Sequence, residues 1–324
     1  MTAKSHDLCT IIVSHNSKRW LDPALTSLYE HAGDIDLDIV VVDNGTDGSA
    51  KHVETHFENV RTIRCANRGF GHANNRALET ANARYVLFLN PDTEVLTGSL
   101  SELVSALDIR PTVGLAGVRQ LRADGSLAPS MRRFPSVSSM LAEALAVERV
   151  PGVRRLLGER QLDLRSYDRE TPCDWTSGSF MLARSEALES TGWFDEQFFL
   201  FAEEADLCWR FNGDGWGVTH MPTMTIRHDD GDGSPSPMLE AQCAYGRMQL
   251  AFKHFPRLKG QIYRAALALR YSLRVGIYST VLRRDEKQRR ALRAALAAVV
   301  YRRSPFDSGN HIAGETTSDV REPA

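Results

Sequence analysis

The chain has 324 residues, 42% hydrophobic and 25% charged, with a net charge of −2. That is ordinary for a soluble globular protein, and long enough for one large α/β domain with an appendage or for two domains. Five cysteines, an odd number without a CxxC pair, exclude a disulfide framework and a zinc ribbon, and no apolar run reaches spanning length. With no signal-peptide core before the first strand, the expected location is cytoplasmic.

Residues 8–14, LCTIIVS, read as a buried strand. SKRWLDPALTSLYEH then places Trp20, Leu21, Ala24, Leu25 and Leu28 at helical spacing, with Ser17 as the expected N-cap. LDIVVVDNG is a second strand, and VRTIRCAN a third running into Asn67-Arg68-Gly69 with the helix FGHANNRALETA behind it. RYVLFLNPD is the fourth, followed by a helix over residues 99–108 and a fifth strand, VGLAGVRQL. Repeated strand-helix units imply a parallel sheet with right-handed crossovers.

After Leu121 the rhythm breaks. RADGSLAPSMRRFPS reads as a mobile loop, VSSMLAEALAVERV as a short helix, and CDWTSGSFMLARSEAL as a strand entering a helix. WFDEQFFLFAEEADLCWRF passes into another helix, GWGVTHMP is a late strand, and IRHDDGDGSPSP is a glycine-rich loop holding His228 just past it. Residues 238–303 are helical by pattern, and the tail from about 304 reads as disordered. The expected division is one domain over 1–237, changing character near 120, then the basic extension over 238–303 and the tail.

The strand ends carry the chemistry. Ser14-His15-Asn16, Asp43-Asn44, Asn67-Arg68-Gly69 and Asn90-Pro91-Asp92 all fall at carboxyl ends of strands, where open α/β sheets bind ligands. NRGFGHANN offers glycines and a helix N-terminus suited to an anion, but its GxGxxN is misplaced for a dinucleotide fingerprint, and no GxxxxGK[ST] is present. Asp92 beside a diphosphate is sensible only with a divalent cation between them, and His228 fits as a further ligand. On the helix of AEEADLCWRF, Glu204, Leu207, Cys208 and Phe211 share one face, so Glu204 opens an apolar stripe, where a carboxylate suits a general base. Asp206 and Arg210 are spaced for a surface ion pair, and Glu203 reads as solvated.

TIIVSHNS, VVVDNGTDGS, NRGFGHANNRAL, FLNPDTEV, WTSGSFMLARSEAL, GWFDEQFFLFAEEADLCWR and IRHDDGDGS stand in the order found in family 2 glycosyltransferases. Together they resemble most the bacterial rhamnosyltransferase-like branch. The resemblance implies a GT-A fold: α/β, with a mostly parallel central sheet flanked by helices. It implies that Asp43 contacts the base or ribose of a nucleotide-sugar donor, with Ser14, Asn16, Asn44, Asn67, Gly69, Asn90 and Asp92 around it. Asn90-Pro91-Asp92 stands at the family's Asp-x-Asp position, with Asn at its first acidic place, so Asp92 and His228 are the implied ligands of Mg2+ or Mn2+. Glu204 matches the base of the family's acidic pair, Glu203 being the alternative, and Trp175, Gly178, Trp193 and Glu203 fall in segments that shape the acceptor pocket. The implied reaction is inverting transfer, with dTDP-L-rhamnose as the favoured donor and UDP-sugars such as UDP-galactofuranose behind it. The acceptor is a polyprenyl-diphosphate-linked or polysaccharide hydroxyl in cell-wall or surface-glycan assembly. A sugar-nucleotide pyrophosphorylase would need a glycine-rich basic loop after the first strand, which VSHNSKRW lacks. A non-catalytic assembly protein would not need Asp43, Asp92, Glu204 and His228.

The charge is uneven. Residues 251–303 hold fourteen Lys or Arg against Asp285 and Glu286, a net of +12 on an acidic body. Ile262, Ala266, Leu269, Leu273 and Ile277 form one apolar stripe there, and Leu292, Ala295, Leu296 and Val299 a second. Such helices fit the surface of an anionic membrane, here its inner face. Packing on the catalytic domain, or a homodimer interface, is the alternative. Nucleic acid is not an expected partner.

Overall fold

The computed structural model describes residues 4–147, 150–229, 236–280 and 285–306. Most of the glycine-rich loop and the tail beyond 306, both singled out above, lie outside the described residues. Two compact units are present. Met1–Phe134, Gly158–Phe198 and Glu203–Asp232 make the first; Pro135–Leu157, Phe199–Ala202 and Gly233–Ala324 make the second.

In the first unit, β1 (His6–Ser14), β2 (Leu37–Asp43), β3 (Val60–Arg64) and β4 (Ala83–Leu89) are the expected buried strands. They pair in parallel in the order β3-β2-β1-β4, linked by α1 (Lys18–Glu30), α2 (Ser49–His56) and α3 (Phe70–Leu78). β1, β2 and β4 are buried on both faces, so alternate residues enter different cores, while β3 at the sheet edge keeps Arg61 and Arg64 exposed. Leu8, Ile12, Val41 and Leu87 pack with Leu21 and Leu25 of α1 and with Leu103 and Leu107 of α4 (Leu100–Asp108). Cys9, Ile11, Val42 and Phe88 pack with Ala73 and Ala77 of α3 and with the helices that follow residue 184. Continuous apolar runs are what two covered faces require.

Several details depart from the sequence reading. Ser17 stands at the α1 N-cap without a side-chain cap; Asp47 accepts the Lys18 N–H instead, at 2.9 Å. TEVLT is a strand, β5 (Thr93–Thr97), too short and too mixed in polarity to stand out beside the run before it. After β6 (Val113–Leu121), the segment expected to be a mobile loop contains β7 (Met131–Arg132), paired antiparallel with β9 (Trp175–Thr176). A 3-10 turn (Leu164–Asp168) and β8 (Thr171–Cys173) lie between them. β10 (Phe180–Arg184) inserts antiparallel between β4 and β6, ahead of α7 (Ser185–Thr191) and α8 (Glu203–Gly213). β11 (Gly217–His228) runs past the expected end at Pro222, because a register shift between Met221 and Thr225 absorbs the proline and pairing resumes. The order is β3-β2-β1-β4-β10-β6-β11-β5, with β8 also on β11, so β1–β4, β6 and β11 point one way. All five cysteines are free thiols, and burial pushes Cys173 up to about 12.

The second unit is helical: α5 (Val137–Ala144), α6 (Pro151–Leu157), α9 (Pro237–His254), α10 (Arg257–Thr280) and α11 (Glu286–Tyr301). Among the described residues no helix is long and apolar enough to cross a membrane. The two apolar stripes part company here. Leu292, Ala295 and Val299 are buried where α11 lies along α9, whereas Ile262, Leu269, Leu273 and Ile277 remain exposed on α10; Ala266 turns inward with Tyr263 and Leu267.

One ion cluster braces this unit. Glu143 of α5 accepts from Arg247 of α9 at 3.0 Å and from Arg270 of α10 at 2.9 Å, with Arg274 at 3.9 Å. Burial alone would raise the Glu143 carboxyl, but the arginines hold it at about 2. A carboxyl depressed below 4.5 stabilises the fold above that pH, and the contribution is lost as pH falls towards 2. We expect Glu143→Gln to lower the stability of the helical unit at neutral pH by on the order of 3 kcal/mol. The gap between variant and wild type should close near the acid end, as followed by thermal melts in far-UV circular dichroism; a gap independent of pH would contradict this account.

Candidate active site

Ser14 and Asp43 are opposite residues at the carboxyl ends of β1 and β2. Ser14 Oγ donates to Ser49 Oγ at 2.9 Å, and its carbonyl accepts the Asn44 N–H at 3.1 Å. The Asp43 carboxylate accepts from the Gly45 N–H at 3.0 Å and from the Ala50 N–H, in the first turn of α2, at 2.8 Å. Its oxygens thus brace the loop first, leaving their remaining lone pairs for any ligand. Asn16 adopts a left-handed conformation (φ 56°), and its Oδ1 accepts the Thr46 N–H at 2.8 Å. Asn44 is buried, with its Oδ1 unpartnered. The structure therefore brings Ser14, Asn16, Asp43 and Asn44 together at one sheet edge.

Gly69 caps α3 at φ 109°, a conformation that a side chain would strain, and Asn67 Oδ1 accepts its N–H at 3.3 Å. The other polar residues of this motif act as scaffold. His72 bonds Glu196 at 2.8 Å, while Asn75 donates to the Phe194 carbonyl at 2.9 Å and to Glu196 at 3.1 Å.

At the tip of β4, three of the predicted residues converge. His228 closes β11 opposite Thr93 of β5, and its Nε2 lies 3.3 Å from Asp92 Oδ1 and 3.2 Å from Asn90 Nδ2. The Asp92 carbonyl accepts the Asp229 N–H at 3.1 Å, fixing the turn. With its proton on Nδ1, the imidazole has one lone pair on Nε2 beside the Asp92 carboxylate, and a cation there would take it in place of the Asn90 amide. Among the described residues no three His, Cys, Asp or Glu side chains gather as a complete metal cage. Two protein ligands nonetheless suit Mg2+ or Mn2+, which take much of their coordination from water and substrate phosphates. Beside Asp92 lies a depression of about 180 Å3 lined by Trp20, Asp92, Thr93, Arg227 and Asp229.

The second carboxylate group lies on α8. Gly178 faces Glu204 so closely that a β-carbon there would sit 3.9 Å from the Glu204 β-carbon. Glu203, expected to be solvated or to touch the acceptor, is 4% exposed. Burial, reinforced by Glu204, raises its carboxyl well above 4.5. A neutral Glu203 then places no second charge beside Glu204. Asp206 and Arg210 do pair, at 3.0 Å, but Asp206 is fully buried, not on the surface as expected. Arg210 also donates to the carbonyls of Thr191, Gly192 and Trp193. The pair staples α8 to the segment before it, while the Trp193 ring is 38% exposed. Helical periodicity misplaced Glu203 and Asp206 because the first turn of α8 is covered on more than one side.

Arg132 was not anticipated. It guards the Trp175 ring at 5.7 Å, its Nε is buried without a partner, and burial followed by Arg160 pulls its pKa down while Glu204 opposes. Trp175 Nε1 donates to the Arg133 carbonyl at 2.9 Å. The only signal in the sequence was the Arg-Arg pair inside a segment taken for a loop.

One short segment joins the two groups. The Ser179 carbonyl accepts the Asn90 N–H at 3.0 Å, and the preceding residue, Gly178, abuts Glu204. The residue bonded to the Asn90 N–H and the residue lying beside Glu204 are thus consecutive in the chain.

The family model described as glycosyl transferase family 2 matches residues 9–188, more than half of the chain. The chain belongs to that family. An N-acetylglucosaminyl-diphospho-decaprenol L-rhamnosyltransferase of Mycobacterium tuberculosis is 28% identical over 301 residues, 87% of this chain and 96% of the relative. Rhamnosyltransferase WbbL of Escherichia coli K12 is 27% identical over 226 residues, 67% of this chain and 81% of the relative. This places the chain with the rhamnosyltransferase-like branch, as the motifs implied. Among solved structures, the mannosyltransferase PcManGT of Pyrobaculum calidifontis, in complex with GDP-Man and Mn2+, superposes with a TM-score of 0.55 at 17% identity, covering 93% of this chain and 89% of that one. GalNAc-T7 with UDP, GalNAc and Mn2+ gives 0.60 at 13% identity, over 93% of this chain and 58% of that one. These likenesses establish the GT-A fold, and the family makes the chain a glycosyltransferase.

Within this family 2 site, Glu203 has a testable signature. A carboxyl raised in the folded state contributes stability below its ordinary 4.5, and that contribution is lost as pH rises through the folded value. Glu203→Gln should therefore match the wild type in acid and equal or exceed its melting temperature on the alkaline side. A variant that is less stable at neutral and alkaline pH, with the deficit closing in acid, would show that Glu203 is held as a paired carboxylate.

Proposed function

We propose that the chain is an inverting, metal-assisted glycosyltransferase. In this reading it moves L-rhamnose from dTDP-rhamnose onto a hydroxyl of a polyprenyl-diphosphate-linked acceptor. The observation that supports the mechanism is that Gly178 lies beside Glu204 while the next residue, Ser179, bonds the Asn90 N–H. The donor and acceptor classes are supported by the names of the two rhamnosyltransferase relatives.

In this reading Ser14, Asn16, Asp43, Asn44, Asn67 and Gly69 hold the nucleotide at the sheet edge, the amide groups of the loops supplying much of the contact. Asp92 and His228 hold the divalent cation, with Asn90 beside them; when bound, the cation supplies positive charge that neutralises the leaving nucleoside diphosphate. A Glu204 carboxylate oxygen takes the proton of the acceptor hydroxyl as the hydroxyl oxygen bonds to the anomeric carbon. The bond from the anomeric carbon to the phosphate oxygen breaks on the opposite face, its electron pair leaving with the diphosphate, so the configuration inverts. Trp175, Gly178 and Trp193 border the acceptor, and buried Glu203 acts through its neighbour. The enzyme would work at the inner face of the cell membrane, attached through the exposed stripe and basic residues of α10.

Glu204→Gln should reduce transfer by about 100-fold or more while leaving the dTDP-dependent thermal shift intact. Glu203→Gln, which keeps the neutral form, should retain most activity; the reverse ranking would assign the base to Glu203. Asp92→Ala should abolish metal-dependent transfer with the fold preserved, and full activity in EDTA would remove the metal from the mechanism. A thermal-shift panel tests the donor: stabilisation by UDP-sugars with none by dTDP-rhamnose would overturn the rhamnose assignment.

A further inference from the structure

Two carboxyls stand side by side at the start of α8, and adjoining carboxyls compete for ionisation. Burial and the charge of Glu204 raise Glu203, with a backbone hydrogen bond opposing them. Glu204 differs in having a cation on the strand pair beneath it. α8 lies on β9: the Cys208 sulfur, one turn beyond Glu204, accepts the Thr176 N–H, and Gly178 lies beside Glu204 itself. β7 pairs with β9 in the register Met131↔Thr176 and Arg132↔Trp175. Opposite residues share a face of the ladder, and the Arg132 guanidinium accordingly lies over the Trp175 ring.

Both edges of β7 are bonded, so the cation stands on a fixed strand. Towards β9, the Arg132 carbonyl accepts the Asp174 N–H at 3.1 Å, and the Asp174 carboxylate accepts the Phe134 N–H at 2.7 Å. On the other edge the Met131 carbonyl accepts the Gln161 N–H at 3.1 Å, and the Arg133 N–H reaches the Glu159 carbonyl at 2.8 Å. The Met131 N–H donates to the Tyr167 hydroxyl at 3.0 Å. The Arg132 Nε is buried with no hydrogen-bond partner, and among the described residues no carboxylate forms a contact ion pair with this guanidinium. Its charge is therefore not cancelled at contact and acts at longer range through a poorly polarisable interior. Burial and then Arg160 weaken the Arg132 cation, while Glu159, Tyr167 and Glu204 favour it. That interaction is mutual: a carboxylate that favours a cation is itself favoured as the anion. A guanidinium suits the place, since it keeps its proton where a buried lysine loses it.

We propose that Arg132 is a positioning residue for transfer: its fixed cation, acting across the β7–β9 ladder, makes Glu204 the ionised member of the carboxyl pair. Its role in transfer rests on Glu204 as the base proposed above; the pairing of charges stands on the β7–β9–α8 geometry. The other titratable groups around this turn are accounted for. Burial keeps the Cys173 and Cys208 thiols protonated, and Asp206 pairs with Arg210.

Rhamnosyl transfer from dTDP-rhamnose to a polyprenyl-diphosphate-linked sugar is followed against pH for the full chain. Removing a cation near a base raises the pH at which the base ionises. In Arg132→Gln the acid limb of kcat should move up by about one pH unit, with turnover about 10-fold lower on that limb and regained in alkali. The donor KM should change little, and Arg132→Lys should fall between Arg132→Gln and the wild type. Arg110→Gln, which removes a surface arginine of the same unit, should leave the limb in place. A uniform loss at every pH, with the limb unmoved, would make Arg132 a structural residue and overturn the proposal. Thermal melts supply a readout that does not depend on turnover. At neutral pH Arg132→Gln should lower the melting temperature more in the wild type than in Glu204→Gln, and the two losses should converge in acid. Equal losses at neutral pH would overturn the pairing. Should Arg132→Gln alone not fold, its combination with Glu204→Gln should fold, because both charges are then gone; an unfolded double variant would also overturn it. Coupled melts together with a fully active Glu204→Gln would sustain the pairing and sink Glu204 as the base.

Discussion

The antiparallel insertion of β10 between β4 and β6 is the constraint on which the site depends. A strand that runs against its neighbours delivers its amino end to the edge where theirs deliver their carboxyl ends. Residues 177–179 therefore arrive beside Asn90, and the Ser179 carbonyl ties the tip of β4 in place. Were β10 parallel, Gly178 would emerge at the opposite edge of the sheet and Glu204 would have no counterpart. The register Phe180↔Leu89 makes this close, setting the last residue of β4 against the first of β10.

Polar groups at this edge are divided between building and binding. Asp43, Asn67, His72 and Asn75 spend hydrogen bonds on backbone amides, carbonyls or Glu196, which holds loops that would otherwise be free to move. Asp92 and His228 are held by their strands and turns, leaving their side chains to face each other across 3.3 Å. Rigid support behind and a concentrated polar pair in front is the arrangement that a preorganised site requires. The Asp206–Arg210 pair serves the same end for α8, anchoring the helix that carries Glu204 with Asp206 itself out of solvent.

The helical unit obeys a different economy. α11 hides its apolar stripe on α9, so its basic residues are left as an outer face, while α10 buries Tyr263, Leu267 and Tyr271 and leaves a second apolar line outside. The two helices have similar composition and periodicity, and nothing within either stripe says which one finds a neighbour. The outcome turns on which helices lie alongside, a matter of tertiary arrangement.

The sequence by itself determined the first four strands, the helices α1 and α3, the residues at the strand tips and the family, but not α2, which the structure adds between the second and third strands. Short continuous apolar runs bounded by turn residues suit covered strands, and the ordered motifs from TIIVSHNS to IRHDDGDGS admit few alternatives. Asp92 and His228 stand 136 positions apart, and no local pattern relates them; β5 folding back on β11 brings them together. Glu203 looked solvated because a helical wheel counts one buried face, whereas the first turn of α8 is covered on several. Arg132 sat in a segment whose polarity reads as a loop, and only pairing with Trp175 makes it a strand. Local patterns record which residues must leave water; which distant group each then meets is decided by strand order and direction, and those are properties of the whole fold.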